Sequence, residues 1–237
     1  MHRLGFMQHQ IKALINKLKL SPWFEVKTIF SHLAASDSSM NDRFSEQQIQ
    51  LFDSLSSTII EATGQPALRH ILNSAGIVRF PEARFDMVRL GLGLYGIDTT
   101  GKLTNKLRNV TTLKSTIAQI KTIEIGNSVG YNRSWRAEKP TRIGIVNIGY
   151  ADGLNRKLGN GRGEMVIDDK RVVIIGEICM DLCMVDLTNA PAAKVGDEVI
   201  VFGDNPSIME LAKKTETIPY EIMTSVSGRV KRVYFEE

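Results

Sequence analysis

Residues 142–153, RIGIVNIGYADG, form an apolar run that ends on a tyrosine and turns at Ala-Asp-Gly. The Tyr150 phenol either caps a buried strand or handles a proton. A free phenol titrates near 10, so proton transfer demands donors or positive charge beside it. Two other polar groups interrupt apolar segments. His32 ends the run VKTIFSH, where a lone histidine reads first as a satisfied structural residue. Arg89 lies between Met87-Val88 and Leu90-Gly91-Leu92, where a guanidinium must find an acceptor or a partner. A buried salt bridge to Asp86 or Asp37 competes there with a ligand-binding role.

Weaker signals surround these. Ser74, in NSAGI, offers a hydroxyl and neighbouring amides to an anion, but an Asx or Ser turn is the simpler reading. LGNGRGE, residues 158–164, has alternating glycines without the phosphate-loop spacing or a following helix, so it reads as a turn. Met180 reads as core by composition, although its N–H lies at a strand bend beside Asp181. Cys179 and Cys183 are four apart, outside any metal-ligand pattern. On one extended strand they lie about 13 Å apart, too far for a disulfide, so two buried thiols are expected. No Ser-His-Asp order, His-Glu-x-x-His or Asp-x-Asp pattern stands out, and no metal set is expected.

These residues need elements to hold them. Ile11, Leu14, Ile15 and Leu18 recur at helical spacing within 7–19. FEVKTIFSHLAAS reads as a strand running into His32. A helix is expected from Ser45, with Gln48 completing a capping box and Ile49, Phe52, Leu55 and Ile59 on its buried face. PALRHILNSAG reads as a strand ending in a glycine turn, and FDMVRLGLGLYGI as another strand. Strand, helix, strand, each strand ending in polar residues, is the rhythm of a parallel α/β fold, whose sites lie at strand C-termini. His32, Asn73-Ser74 and Arg89 occupy such ends. After the polar linker DTTGKLTNKLRN, strands dominate from Thr111 onward, with an Asp168-Asp169 turn, and a small all-β barrel or sandwich is expected. Two late helices are expected, one capped by Ser207 with Glu210 at its third position, the other starting at Pro219.

Composition bounds the class. The chain has 237 residues, 43% hydrophobic and 24% charged, the profile of a globular protein with a real core. The net charge of +4 comes from scattered basic residues, so nucleic-acid binding is a poor inference. MHRLGFMQHQ lacks the apolar centre of a secretory leader, and no 18-residue apolar run is present. A cytoplasmic location without membrane contact is expected.

Taken together, the segments resemble the alanine racemase family. MHRLGF is similar to the end of the signature Asp-Thr-Gly-Met-x-Arg-x-Gly-Phe. HLAASD, NSAGIVRFPEARFDMVRLGLGLYGI, VGYNRSW, IGYADG, IGEICMDLCMVDL, VGDEVIVFG and ETIPYE follow in the family's order. The resemblance implies the C-terminal part of a pyridoxal 5'-phosphate-binding (β/α)8 barrel over 1–98 and an all-β domain over 99–237. It implies racemisation of alanine by two-base proton transfer, supplying D-alanine for peptidoglycan, in a homodimer whose subunits share sites. Tyr150 would be one base, supported by His32, which hydrogen-bonds toward Tyr150 and Arg89. Arg89 would face the pyridine nitrogen. Ser74, the amides of Gly91 and Leu92, and the Tyr220 hydroxyl would hold the phosphate. Arg3 and the Met180 N–H would hold the substrate carboxylate.

Two departures qualify the resemblance. The family's Schiff-base lysine lies on an early barrel strand, and no lysine here falls in a matching motif; Lys114 and Lys121 belong to the β domain. The early strands and the family's carbamylated lysine have no counterpart either. The expectation is a fragment inactive alone, with a partial barrel whose open edges seek a partner. Glu177 also stands where many members carry arginine, which bears on substrate choice. A racemase for lysine, serine or a broad range is the first rival reading. A non-catalytic dimerisation or interaction domain of a bifunctional cell-wall protein is the second.

Overall fold

The helical spacing in 7–19 produces α1 (Ile11–Lys19) in the computed structural model, which describes residues 1–103 and 106–235. Thr104 and Asn105 of the expected linker lie outside the described residues. The chain divides into two units, Met1–Arg108 and Asn109–Glu237.

In the first unit α1 buries Ile11 and Ile15 against Ile59. The apolar segment before His32 forms β1 (Thr28–Phe30). Then come α2 (Asp42–Thr63) and β2 (Leu68–His70), which pairs in parallel with β1 so that Phe30 lies opposite His70. This is the β–α–β repeat of a parallel α/β fold. Leu33, Phe52, Ile71, Leu72, Phe80 and Ala83 form its core.

Three local expectations are corrected here. The long helix starts at Asp42, not Ser45. Ser45 is buried inside it, and Gln48 Oε1 accepts the Ala34 N–H at 3.0 Å, so no capping box forms. Asp42 supplies the negative charge that a helix N-terminus favours. NSAG does not end in a turn. Asn73 Oδ1 accepts the Gly76 N–H at 2.9 Å and starts α3 (Ser74–Arg79). Gly76 is inside that helix because a Cβ would press on Leu72 and Leu33 at 3.1 and 3.3 Å. Finally, residues 85–97 form no strand. The Arg89 N–H reaches Leu72 O at 3.0 Å, but the chain then coils into a 3-10 turn at Leu92–Tyr95, closed by Gly96 at φ 78°.

The second unit begins with β3 (Leu113–Ile123), long enough to pair along both edges. A two-residue hairpin follows, β4 (Ser128–Val129) and β5 (Trp135–Arg136). Next come β6 (Thr141–Val146), β7 (Glu164–Ile167), β8 (Lys170–Ile175), β9 (Cys183–Asp186) and β10 (Glu198–Phe202). Six strands close a barrel in the order β10-β3-β6-β9-β8-β7. The expected Asp168-Asp169 turn joins β7 to β8 with both residues at positive φ, the pattern of a two-residue hairpin. Ser207 caps α4 (Ile208–Thr215) through the Glu210 N–H. The Glu210 carboxylate does not reach back; it pairs with Arg171 at 2.8 Å. Pro219 opens α5 (Pro219–Ser225). The cysteines do not share a strand. Cys183 starts β9 and is buried, whereas Cys179 is half-buried in a turn closed by its N–H on Leu182 O.

Candidate functional site

Arg89 organises a polar cluster in the α/β unit, just beyond the ends of β1 and β2. Its Nη2 donates to Ser31 O at 2.8 Å, His32 Nδ1 at 3.0 Å and Ile71 O at 3.2 Å. Its Nη1 donates to His70 Nδ1 at 2.6 Å and His70 O at 3.4 Å. No carboxylate is among these partners. Asp86 serves Arg69 instead, accepting its backbone N–H at 2.8 Å, so the salt bridge weighed for Arg89 does not form. The Arg89 Nε–H keeps no partner among the described residues.

A guanidinium only donates, so both imidazoles accept at Nδ1 and carry their protons on Nε2. Burial lowers the pKa of His32, and the charges of Arg89 and Arg3 lower it further. Burial and then Arg89 do the same to His70. Burial also lowers Arg89, though a guanidinium stays charged. His70 escaped the sequence reading. Its ring stacks on Phe30 at 5.2 Å and 3°, and the one available signal was its place at the end of a parallel strand, the same kind of position as His32.

Ser74 opens α3, and its Oγ accepts from the amides of Gly91 at 2.8 Å and Gly93 at 3.3 Å. With its lone pairs engaged, the hydroxyl has its own proton left to give to an anion. Leu92, between the two glycines, is buried. The residues fit the implied cofactor: a serine hydroxyl steadied by a glycine-rich loop for a phosphate, and an unspent N–H on a permanent cation for a ring nitrogen.

A second group of candidate residues lies in the β unit. After β6 the chain turns at Tyr150–Asp152. The Tyr150 N–H donates to Cys179 O and the Ala151 N–H to Met180 O, each at 3.0 Å. Gly149 makes the approach possible, since a Cβ there would overlap both carbonyls. Tyr150 is 47% exposed, so it is no cap on a dry core. It lines an open cleft of about 180 Å³ with Asn155, Arg156, Glu221, Ile222 and Ser225. Met180 is 53% exposed, against the expectation of core. Tyr220, partly exposed, sits in the first turn of α5, the helix that supplies Glu221, Ile222 and Ser225 to that cleft. Glu177 is held by Arg156 at 2.7 Å and Asn132 at 3.1 Å.

An α/β unit with a cationic strand-end site, followed by a closed β barrel that presents a phenol, defines the class. Residues 1–99 match the family model of the alanine racemase N-terminal domain, and residues 110–234 that of the alanine racemase C-terminal domain. The chain belongs to the alanine racemase family. An alanine racemase of Desulfosudis oleivorans is 38% identical over 221 residues, 90% of this chain and 56% of the relative. One from Sorangium cellulosum is 36% identical over 244 residues, 100% of this chain and 64% of the relative. Among solved structures, the alanine racemase of D-cycloserine-producing Streptomyces lavendulae aligns with a TM-score of 0.92 at 30% identity, covering 100% of this chain and 64% of that one. The Bartonella henselae enzyme, solved with covalently bound pyridoxal phosphate, aligns at 0.84 and 32% identity, covering 99% and 64%. The chain thus spans less than two thirds of each of these proteins.

Proposed function

We propose that this chain is part of an alanine racemase, an isomerase that interconverts L- and D-alanine with pyridoxal 5'-phosphate. Arg89 carries the reading. A guanidinium held by two neutral imidazoles and backbone carbonyls, with Nε–H unspent, suits a neutral ring nitrogen as its remaining acceptor. Because Arg89 cannot surrender a proton, it leaves such a nitrogen unprotonated. Ser74, Gly91, Leu92 and Tyr220 hold the cofactor phosphate. When bound, the cofactor supplies the electron sink that makes the Cα–H of alanine acidic.

Arg3 and the Met180 N–H orient the carboxylate of alanine. Tyr150 takes the Cα proton on one face, or returns it there in the reverse direction, as general base and acid. His32, with its proton on Nε2, donates to the phenol oxygen and favours the phenolate. The active form is a homodimer in which Tyr150 and Met180 of one subunit serve the cofactor held by the other. Its setting is the cytoplasm, where D-alanine feeds peptidoglycan synthesis. The second base is the lysine that holds the cofactor covalently, and we infer that it is not one of the lysines of residues 1–237.

The test is chiral analysis of L-alanine incubated with cofactor. The 237-residue chain alone yields no D-alanine. Co-expressed with the stretch of a curated relative that this chain does not match, it yields D-alanine. Turnover by the unsupplemented chain overturns the lysine inference, and a folded but inactive complemented assembly overturns the racemase reading.

A further inference from the structure

The turn that carries Tyr150 is gripped from two sides. On one side the carbonyls of Cys179 and Met180 accept its N–H groups, as described. On the other, the Ser227 N–H donates to Asp152 O at 3.1 Å, and Gly153, at φ 108°, leaves room for Ser225 O where a Cβ would collide. Arg229 joins the two sides. Its Nε donates to Asp152 Oδ1 at 2.7 Å and its Nη2 to Asp181 Oδ1 at 2.6 Å. Asp152 spends its other oxygen on the Gly149 N–H at 2.9 Å. Burial by itself would raise the Asp152 carboxyl, but the Arg229 hydrogen bond, the Gly149 amide and the Arg229 charge together hold it below the usual carboxylate range.

We propose that Arg229 is a positioning residue that, through Asp152 and Asp181, fixes the spacing between Tyr150 and Met180. The proposal rests on the reading of Tyr150 and Met180 as substrate-facing groups. Asp152 ends the Tyr150 turn and Asp181 directly follows Met180, so one guanidinium spans the two segments. An exposed ion pair adds little to stability, so the value of this clamp is geometric. A planar fork holds two carboxylates in fixed relative directions; the ammonium of a lysine does not.

Amide hydrogen exchange in the ¹⁵N-labelled 237-residue chain tests this without any turnover. In Arg229→Ala and Arg229→Lys, exchange at Gly149, Tyr150 and Ala151 quickens by about tenfold, while Ile174 and Val185 in the barrel exchange as before. Asp181→Ala removes the acceptor and releases only the Met180 side, so Ala151 quickens and Gly149 stays protected. In the complemented racemase, Arg229→Lys lowers kcat/KM by about tenfold, the size expected of a lost orientation effect rather than a lost base. Unchanged exchange at residues 149–151 overturns the proposal, and so does equal quickening in the barrel. If exchange responds selectively but the complemented wild type makes no D-alanine, the clamp stands and the racemase reading fails.

Discussion

The two units bury apolar surface in opposite ways. The β unit closes six strands into a ring, so every strand of the ring has two neighbours. Met165, Ile167, Val172 and Val185 are fully buried inside it. Among the described residues, the α/β unit has two strands of three residues each, paired with one another. Trp23, Phe24, Phe30 and Leu68 remain exposed there, beside strand edges that further sheet can pair. The closed barrel is thus a finished support that can hold the Tyr150 turn by itself. The α/β unit concentrates its chemistry at strand ends whose sheet is open, and its stability depends on polar contacts around Arg89 as well as on its core.

The contrast can be tested because each unit carries one tryptophan, Trp23 and Trp135. In Trp135→Phe the fluorescence reports the α/β unit, and in Trp23→Phe it reports the β unit. The largest effect is on chemistry. Tyr150→Phe lowers D-alanine formation by the complemented assembly roughly 10³-fold, the range of a lost general base, and leaves both unfolding transitions in place. Next is Arg89→Leu. It strips donors from Ser31 O, Ile71 O and two imidazoles, and costs the Trp23-reported transition about 3 kcal/mol while sparing the Trp135-reported one. Equal losses in both would show that the units do not unfold separately.

Acid separates the units more gently. His32 and His70 have folded pKa values below the ordinary 6.5, so the unfolded chain binds their protons first. The α/β unit therefore holds full stability above about pH 6.5 and loses it as the pH falls below that value. Glu210 is held down to about 2, chiefly by its hydrogen bond from Arg171, against an ordinary 4.5. Its stabilisation of the β unit is complete above pH 4.5 and fades only as the pH falls toward 2. Denaturant midpoints between pH 6.5 and 4.5 should thus drop for Trp23 and stay level for Trp135. The smallest effect is Glu210→Gln, which removes one carboxylate from the Arg171–Glu164–Lys214 network. It costs the Trp135-reported transition about 1 kcal/mol and leaves Trp23 unmoved.

Local rules made much of this legible in the chain itself. Apolar spacing determined α1, turn chemistry determined the Asp168-Asp169 hairpin, and cap and proline preferences determined the starts of α4 and α5, because each depends on neighbours within a few residues. The strings around Tyr150 and Met180 pointed to the family for the same reason: their order survives without knowing what packs where. Tertiary structure alone decided the rest. Residues 85–97 are apolar enough for a strand, but their glycines let the backbone bend to Ser74. Ser45 has the type of a cap, yet the helix had already begun at Asp42. Arg89 chose two imidazoles over nearby carboxylates, and His70 became its partner, because strands distant in sequence end side by side. A hydrogen bond across such a gap depends on position in space, which a string of residue types does not carry.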